Sequence, residues 1–249
     1  MTKLTRLFAV FLTLSVPFQI AAAQSDSRSN TSIVRQSRGT LEYRKLSDGA
    51  LVGSEEWTLT VHPDGSRTLA ARNRYDAYDV QRHVTHRVAK DFRPLETLAV
   101  YWARGEWRGS GLFMTRGNQF EAVVTTPDGV LRQEMPVPEN FSLVPHPLQS
   151  NAWHGWYYDK AKGGPQPVRW IDIIVARPEA TFMLGKLSKT TLEFIGEEEM
   201  TTPAGTFTVD HFRVGGVDYY VTGEDSIMVR FVWELLDTEF VLTSYTRDR

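Results

Sequence analysis

Six histidines and no cysteine set the side-chain chemistry open to this chain. His146 and His154 lie in a stretch that also holds Pro145, Pro147, Trp153, Trp156, Tyr157, Tyr158 and Asp159. Histidine is the side chain that ordinarily titrates near neutral pH, so either one could transfer a proton, with Tyr157 or Asp159 orienting the ring. The plainer reading is a histidine held by hydrogen bonds beneath an aromatic loop. His211 is a third candidate, because alternation along a strand puts it on the face of Phe207 and Val209. His83 and His86 stand three apart, a spacing that joins side chains on a helix but separates them onto opposite faces of the strand expected here. No metal site follows from them, and no cofactor is implied. The missing cysteines remove disulfides, thiolate nucleophiles, Fe–S clusters and thiolate-bound zinc.

A second set of residues points to binding. Val80, Arg82, Val84, His86 and Val88 fall on one face of an expected strand, and Leu98, Val100 and Trp102 on a face of the next. A guanidinium turned into an apolar interior demands a carboxylate or an anionic ligand, since a buried unpaired charge is costly. Arg82 could then hold the head of a fatty acid or a similar carboxylate, with Val84 and Val88 against its hydrocarbon part. Turned outward, Arg82 needs no such partner. His86 and Trp102 would add to the wall, while Trp153, Trp156, Tyr157 and Tyr158 could cover a small hydrophobic or amphipathic ligand and keep their N–H and O–H groups bonded.

These residues must be carried by strands. Trp57, Leu59 and Val61 alternate with hydroxyls and run into His62-Pro63-Asp64-Gly65, a turn signal. Phe120, Ala122 and Val124 lead likewise into Thr126-Pro127-Asp128-Gly129. Further strands are expected over residues 168–175, 190–199, 206–214, 217–222, 227–233 and 239–246. Short connections favour antiparallel neighbours, and no βαβ unit of adequate length occurs. The fold class expected is mainly β: a single curved antiparallel sheet of twelve or so strands forming an open or closed β-barrel, with a two-sheet sandwich as its rival. A short helical or irregular cap, residues 141–167, should cross one opening, with residues 146–158 belonging to the functional mouth. A helix over residues 148–158 would join Trp153 to Tyr157, although Gly155 weakens it by about 1 kcal/mol relative to alanine.

At the N-terminus Lys3 and Arg6 precede an apolar run over residues 7–20 and then Ala21-Ala22-Ala23, the pattern of a signal peptide cleaved after Ala23. Residues 24–38 are polar and read as a flexible leader, leaving residues 39–249 as one β-rich domain. Removing Lys3 and Arg6 takes the 28 basic residues to 26 against 30 acidic ones, a net charge of −4. That balance gives no reason to expect nucleic-acid binding, and no integral membrane span is expected in the mature protein. The expected location is periplasmic or secreted. The nucleophile elbow, phosphate loop, zinc helix and dinucleotide fingerprint are all missing, so no enzyme class has a motif behind it.

The most specific string is Met200-Thr201-Thr202-Pro203-Ala204-Gly205-Thr206-Phe207-Thr208-Val209, followed by His211 and by Tyr219-Tyr220-Val221-Thr222-Gly223-Glu224-Asp225. Here the chain resembles secreted β-rich proteins of the DUF3108 group, over about its last fifth. The resemblance implies a curved sheet or barrel and transfers no catalytic residue. Three functions are therefore expected in order: an exported binding protein for a hydrophobic or amphipathic small molecule; a cofactor-independent lyase, isomerase or hydrolase using His and carboxylate acid–base chemistry; and an envelope structural or maintenance protein.

Overall fold

Burial follows the two-residue period of the sequence. In β2 (Leu51–Val61) Gly53, Glu55, Trp57, Leu59 and Val61 are buried, and in β4 (Val80–Val88) every alternate residue from Val80 to Val88 is. Pleating sends successive side chains to opposite faces, so a strand with this alternation has one dry face and one wet one. The computed structural model describes residues 33–173 and 184–248. The signal-peptide expectation, the leader up to residue 32 and the end of the strand expected over residues 168–175 lie outside the described residues.

One sheet of fifteen strands results. The first eight form a meander: β1 (Arg35–Lys45), β2, β3 (Arg67–Tyr75), β4, β5 (Pro94–Ala103), β6 (Glu106–Arg116), β7 (Gln119–Thr126) and β8 (Gly129–Pro136). The short β9 (Ser142–Val144) and β10 (Gln166–Asp172) follow. A second meander comprises β11 (Lys186–Thr202), β12 (Gly205–Val214), β13 (Val217–Thr222), β14 (Ile227–Trp233) and β15 (Thr238–Asp248). The two halves join where β1 pairs antiparallel with β15, Tyr43 opposite Phe240. All pairings are antiparallel except that of β9 with β10. The leader expected to residue 38 ends earlier, because β1 starts at Arg35: the polar side chains that suggested disorder alternate with Ser37 and Gly39, which are buried. At the Thr-Pro-Ala-Gly-Thr-Phe string β11 turns into β12, and Gly205 takes a φ of +137°, a conformation that L side chains rarely adopt.

The sheet curls without closing. Phe113, Phe120, Ala122, Val124 and Val137 near one edge share a core with Phe141, Leu143, Ile171 and Ile173 near the other. Gln133 Nε2 donates to Gly185 O at 2.9 Å, a side-chain link. No ladder joins β8 to β9 or β10 among the described residues. The expected open barrel is thus what forms, with more strands than the twelve anticipated.

Of the segment expected to cap the opening, residues 148–154 are packed inside, while residues 160–165 are exposed. α1 (Leu148–Asn151) runs into a 3-10 turn, Ala152–Gly155, and ends there, three residues short of the helix expected. Leu148, Gln149, Ser150, Ala152, Trp153 and His154 are all buried. Their polar groups are satisfied by the wall, as buried main-chain and amide groups require. Gln149 donates to Ser226 O at 3.1 Å and accepts from Met228 N at 3.0 Å, while Trp153 Nε1 donates to Asp225 O at 3.0 Å. Asp225 is fixed in turn by Arg35 and Arg67, whose nitrogens approach to 2.6 and 2.9 Å.

Close approach of β2 to its neighbours depends on Gly53, where an added Cβ would lie 2.3 Å from Arg74 O and 2.8 Å from the Tyr43 ring. The nearer contact is main chain and cannot rotate away. Gly53→Ala is therefore expected to lower stability by about 1–3 kcal/mol in denaturant unfolding; a midpoint equal to that of the wild type would show that the strands separate freely here.

Candidate functional site

Proline at position 147 offers α1 no capping side chain, and the cap comes from across the barrel. Glu55, wholly buried on the inner face of β2, accepts the main-chain N–H of Leu148 at 2.6 Å and of Gln149 at 3.0 Å, and the Tyr43 hydroxyl at 2.8 Å. Burial pushes its carboxyl up to about 7 against the pull of these three donors and of the Arg82 charge. Burial likewise raises the Tyr43 hydroxyl, with the Glu55 charge adding to it, and lowers Arg82 from its ordinary value.

Beside this cap lies a cavity of about 120 Å³. Its wall is a run of aromatic rings in mutual contact. Tyr78 stacks on Tyr75 at 4.9 Å, Tyr75 lies 5.9 Å from Tyr43, and Tyr43 meets Phe240 edge-on at 4.5 Å. Phe240 meets Phe231 at 5.3 Å, and Phe231 meets Trp233 at 6.5 Å. Alternation explains the set, because Phe231 and Trp233 lie two apart on β14, and Tyr43 on β1 is opposite Phe240 on β15. The polar side of the cavity is Asn73, Arg82, His146 and Asn151. Arg82 is 5% exposed, lies over the Tyr101 ring at 5.6 Å, and its Nε has no hydrogen-bond partner among the described residues. At the rim Tyr78, Trp233 and Leu236 are partly solvent-exposed, with Leu235 beside them 87% exposed. A larger concavity of about 660 Å³ crosses the outer face over β1 to β5, but its Arg38, Glu56, Arg72 and Leu98 stand in solvent, with no comparable aromatic enclosure.

Of the residues singled out from sequence, Arg82 and His146 meet in this cavity; the others are elsewhere. His86 does share the inner face with Arg82, where its Nδ1 is 2.7 Å from Thr97 Oγ1 and its ring 5.6 Å from Trp153. Burial lowers it to about 4. His154 stacks on Trp170 at 5.4 Å and is lowered to about 3, by burial first and by His86 second. Trp156 Nε1 donates to Phe141 O, Tyr157 Oη to Arg169 O and Tyr158 Oη to Gly164 O, so their polar tips serve the main chain. Asp159 is not beside either histidine: it pairs with Lys162 at 3.3 Å.

One facing assignment needs correction. Trp102 turns outward, against His83 at 4.9 Å, because on β5 the inner positions are Thr97, Ala99, Tyr101 and Ala103. His211 keeps step with Phe207 and Val209, as expected, because the register shift between Phe194 and Gly196 skips a residue of β11 and none of β12; partly buried there, it meets Asp218 at 2.8 Å and Glu198, the residue opposite Val209, at 3.5 Å. Glu55, Tyr43 and Asn73 were missed, although Glu55 keeps step with Trp57 and Leu59, and Asn73 with Leu69 and Ala71. No grouping of three or more His, Asp or Glu able to hold a metal ion occurs among the described residues.

Fold and site together define an open, internally plugged β-barrel with a small aromatic cavity beside the plug. Among solved structures the chain is similar to a β-barrel-like protein of Brucella abortus with a domain of unknown function, DUF1849. That likeness has a TM-score of 0.56 at 8% identity and covers 87% of this chain and 98% of the other, which supports the fold alone. A lipoprotein candidate of Parabacteroides distasonis also aligns, over 84% of this chain and 94% of the other at 12% identity, but its TM-score of 0.29 carries no argument. No family model and no curated protein matches the chain. Among the described residues no helix is long and apolar enough to cross a membrane.

Proposed function

We propose that this is an exported, periplasmic or secreted protein of DUF3108-like character that binds a hydrophobic or amphipathic small molecule in the aromatic cavity. The observation that carries the reading is the placement of Arg82: a buried cation with an unbonded Nε, lining a cavity to which six aromatic rings also contribute. Apolar walls supply affinity at roughly 25 cal/mol per Å² removed from water, and a few fixed polar groups set orientation. A cavity of about 120 Å³ takes a head group and the first carbons of a chain. The rest of such a chain would leave past Tyr78, Trp233 and Leu236. Acid–base catalysis finds less support, since His146, His154, His211 and Asp159 have separate neighbours.

The test uses decanoate, followed by calorimetry. Trp233→Ala is expected to weaken binding about tenfold through loss of ring contact at the cavity mouth, with little change in unfolding because the ring is already 36% exposed. Trp107→Ala, at 37% exposure but outside the cavity wall, should leave binding unchanged. Equal effects of the two substitutions, or none from either, would move the binding site elsewhere.

A further inference from the structure

The cavity's polar side is more specific than a positive charge, because it holds unbonded groups of both kinds. Asn73 and Arg82 are direct partners across the β3–β4 ladder, on the same inner face. Directly opposed residues of an antiparallel pair hold their Cβ atoms about 4.5–5.5 Å apart, so the two side chains reach one small head group together. Arg82 Nε can only donate, and it has nothing to donate to. Asn73 is oriented by its own bond: Nδ2 donates to His146 O at 3.0 Å, and turning the amide over would set oxygen against oxygen. Its Oδ1 is therefore an acceptor, buried and without a donor. Asn151, also on the cavity wall, has a buried Oδ1 without a partner too.

A buried polar atom left unbonded costs about 1–3 kcal/mol, and native proteins keep few of them. A simple fatty-acid carboxylate would satisfy Arg82 and leave Asn73 Oδ1 facing a second anionic oxygen. A neutral alcohol would satisfy Asn73 and offer Arg82 no charge beyond that of Glu55.

We infer that the cavity selects an amphiphile whose head carries two functions side by side, an anionic oxygen for Arg82 Nε–H and a hydroxyl or amide N–H for Asn73 Oδ1. The class so described is an α-hydroxy or N-acylated amino carboxylate on an aliphatic chain. Both functions sit within two bonds of the carboxylate carbon, as a cavity of this size requires. The inference rests on the proposed binding at this cavity and adds the chemistry of the head.

A ligand series at constant chain length separates the two claims and needs no altered protein. Decanoate, α-hydroxydecanoate, N-acetylated α-aminodecanoate, methyl decanoate and decanol are titrated into the wild-type protein. The acid should bind about tenfold tighter than its methyl ester, as expected for a charge-assisted bond to a buried guanidinium. Each of the two donor-bearing acids should gain a further factor of about three or more over decanoate from the Asn73 bond. Asn73→Leu should erase that gain while decanoate still binds. If acid, ester and alcohol bind alike, the head-group inference is overturned and the aromatic cavity remains a binding site for apolar chains. If decanoate outbinds the ester but neither donor improves on it, the Asn73 half is overturned. Failure of every member of the series to bind overturns the binding reading itself, and the inference with it.

Discussion

Glu55→Ala is expected to lower stability by about 3–5 kcal/mol, the range for breaking a buried charge arrangement by removing one member. The carboxylate holds four things at once. Its oxygens take the N–H groups of Leu148 and Gln149, the Tyr43 hydroxyl bonds to it, and its charge faces Arg82. Alanine leaves three buried donors without an acceptor and a buried guanidinium without its counter-charge, at the point where the plug enters the barrel. Urea unfolding measures the loss directly, and a change below about 1 kcal/mol would mean that the plug is seated by its apolar contacts alone. The same carboxyl has a signed pH dependence. Its folded-state value of about 7 lies above the ordinary 4.5, so between those two pH values the folded chain holds more proton than the unfolded one. Stability from this group is full below pH 4.5 and falls as pH rises to about 7. Glu55→Gln should flatten that part of the curve.

How much of this was legible in sequence depended on range. β13 and β14 run over the residues that alternation marked out, because a period of two is a local property. The inward placement of Arg82 and His86 with Val80, Val84 and Val88 was legible for the same reason. The face of His211 was legible too, since β12 pairs with β11 without skipping a residue of its own, but its partners Asp218 and Glu198 come from neighbouring strands. Facing failed where alternation offered a choice. On β5 two alternating rows were available, and Ala99 and Ala103, small residues that fit where the wall is crowded, took the inside in place of Trp102. The aromatic segment drew attention as a mouth because Trp and Tyr stood together, yet its N–H and O–H groups are spent on main-chain carbonyls. The cavity drew instead on rings scattered from Tyr43 to Phe240, which only the β1–β15 pairing brings into contact.

That plug also carries the second large effect expected, a loss of stability in acid that His154 governs. Both plug-associated histidines are held neutral by burial: His86 falls from 6.5 to about 4 and His154 from 6.5 to about 3. For a base lowered on folding, the unfolded chain takes up the proton first. Stability is therefore intact above pH 6.5 and is lost as pH falls through the folded values, at about 1.4 kcal/mol for each unit of separation. Glu55 works in the opposite sense down to pH 4.5 and contributes no further slope below it. Protonated His154 would lie against Trp170 and near His86, with a ring nitrogen that has no acceptor, so the plug must leave for the charge to be solvated. His154→Phe keeps a ring against Trp170 and removes the titrating group. At neutral pH its stability should be within about 1.5 kcal/mol of the wild type, as for substitutions that conserve volume in a core. Near pH 4 it should retain about 3 kcal/mol that the wild type has lost, measured as the gap between their urea midpoints across the pH series. Asp225, held low by Arg35 and Arg67 against its own burial, is common to both proteins and cancels in that difference. Parallel acid curves for the two proteins would show that His154 becomes protonated in place, and that the plug stays seated when it does.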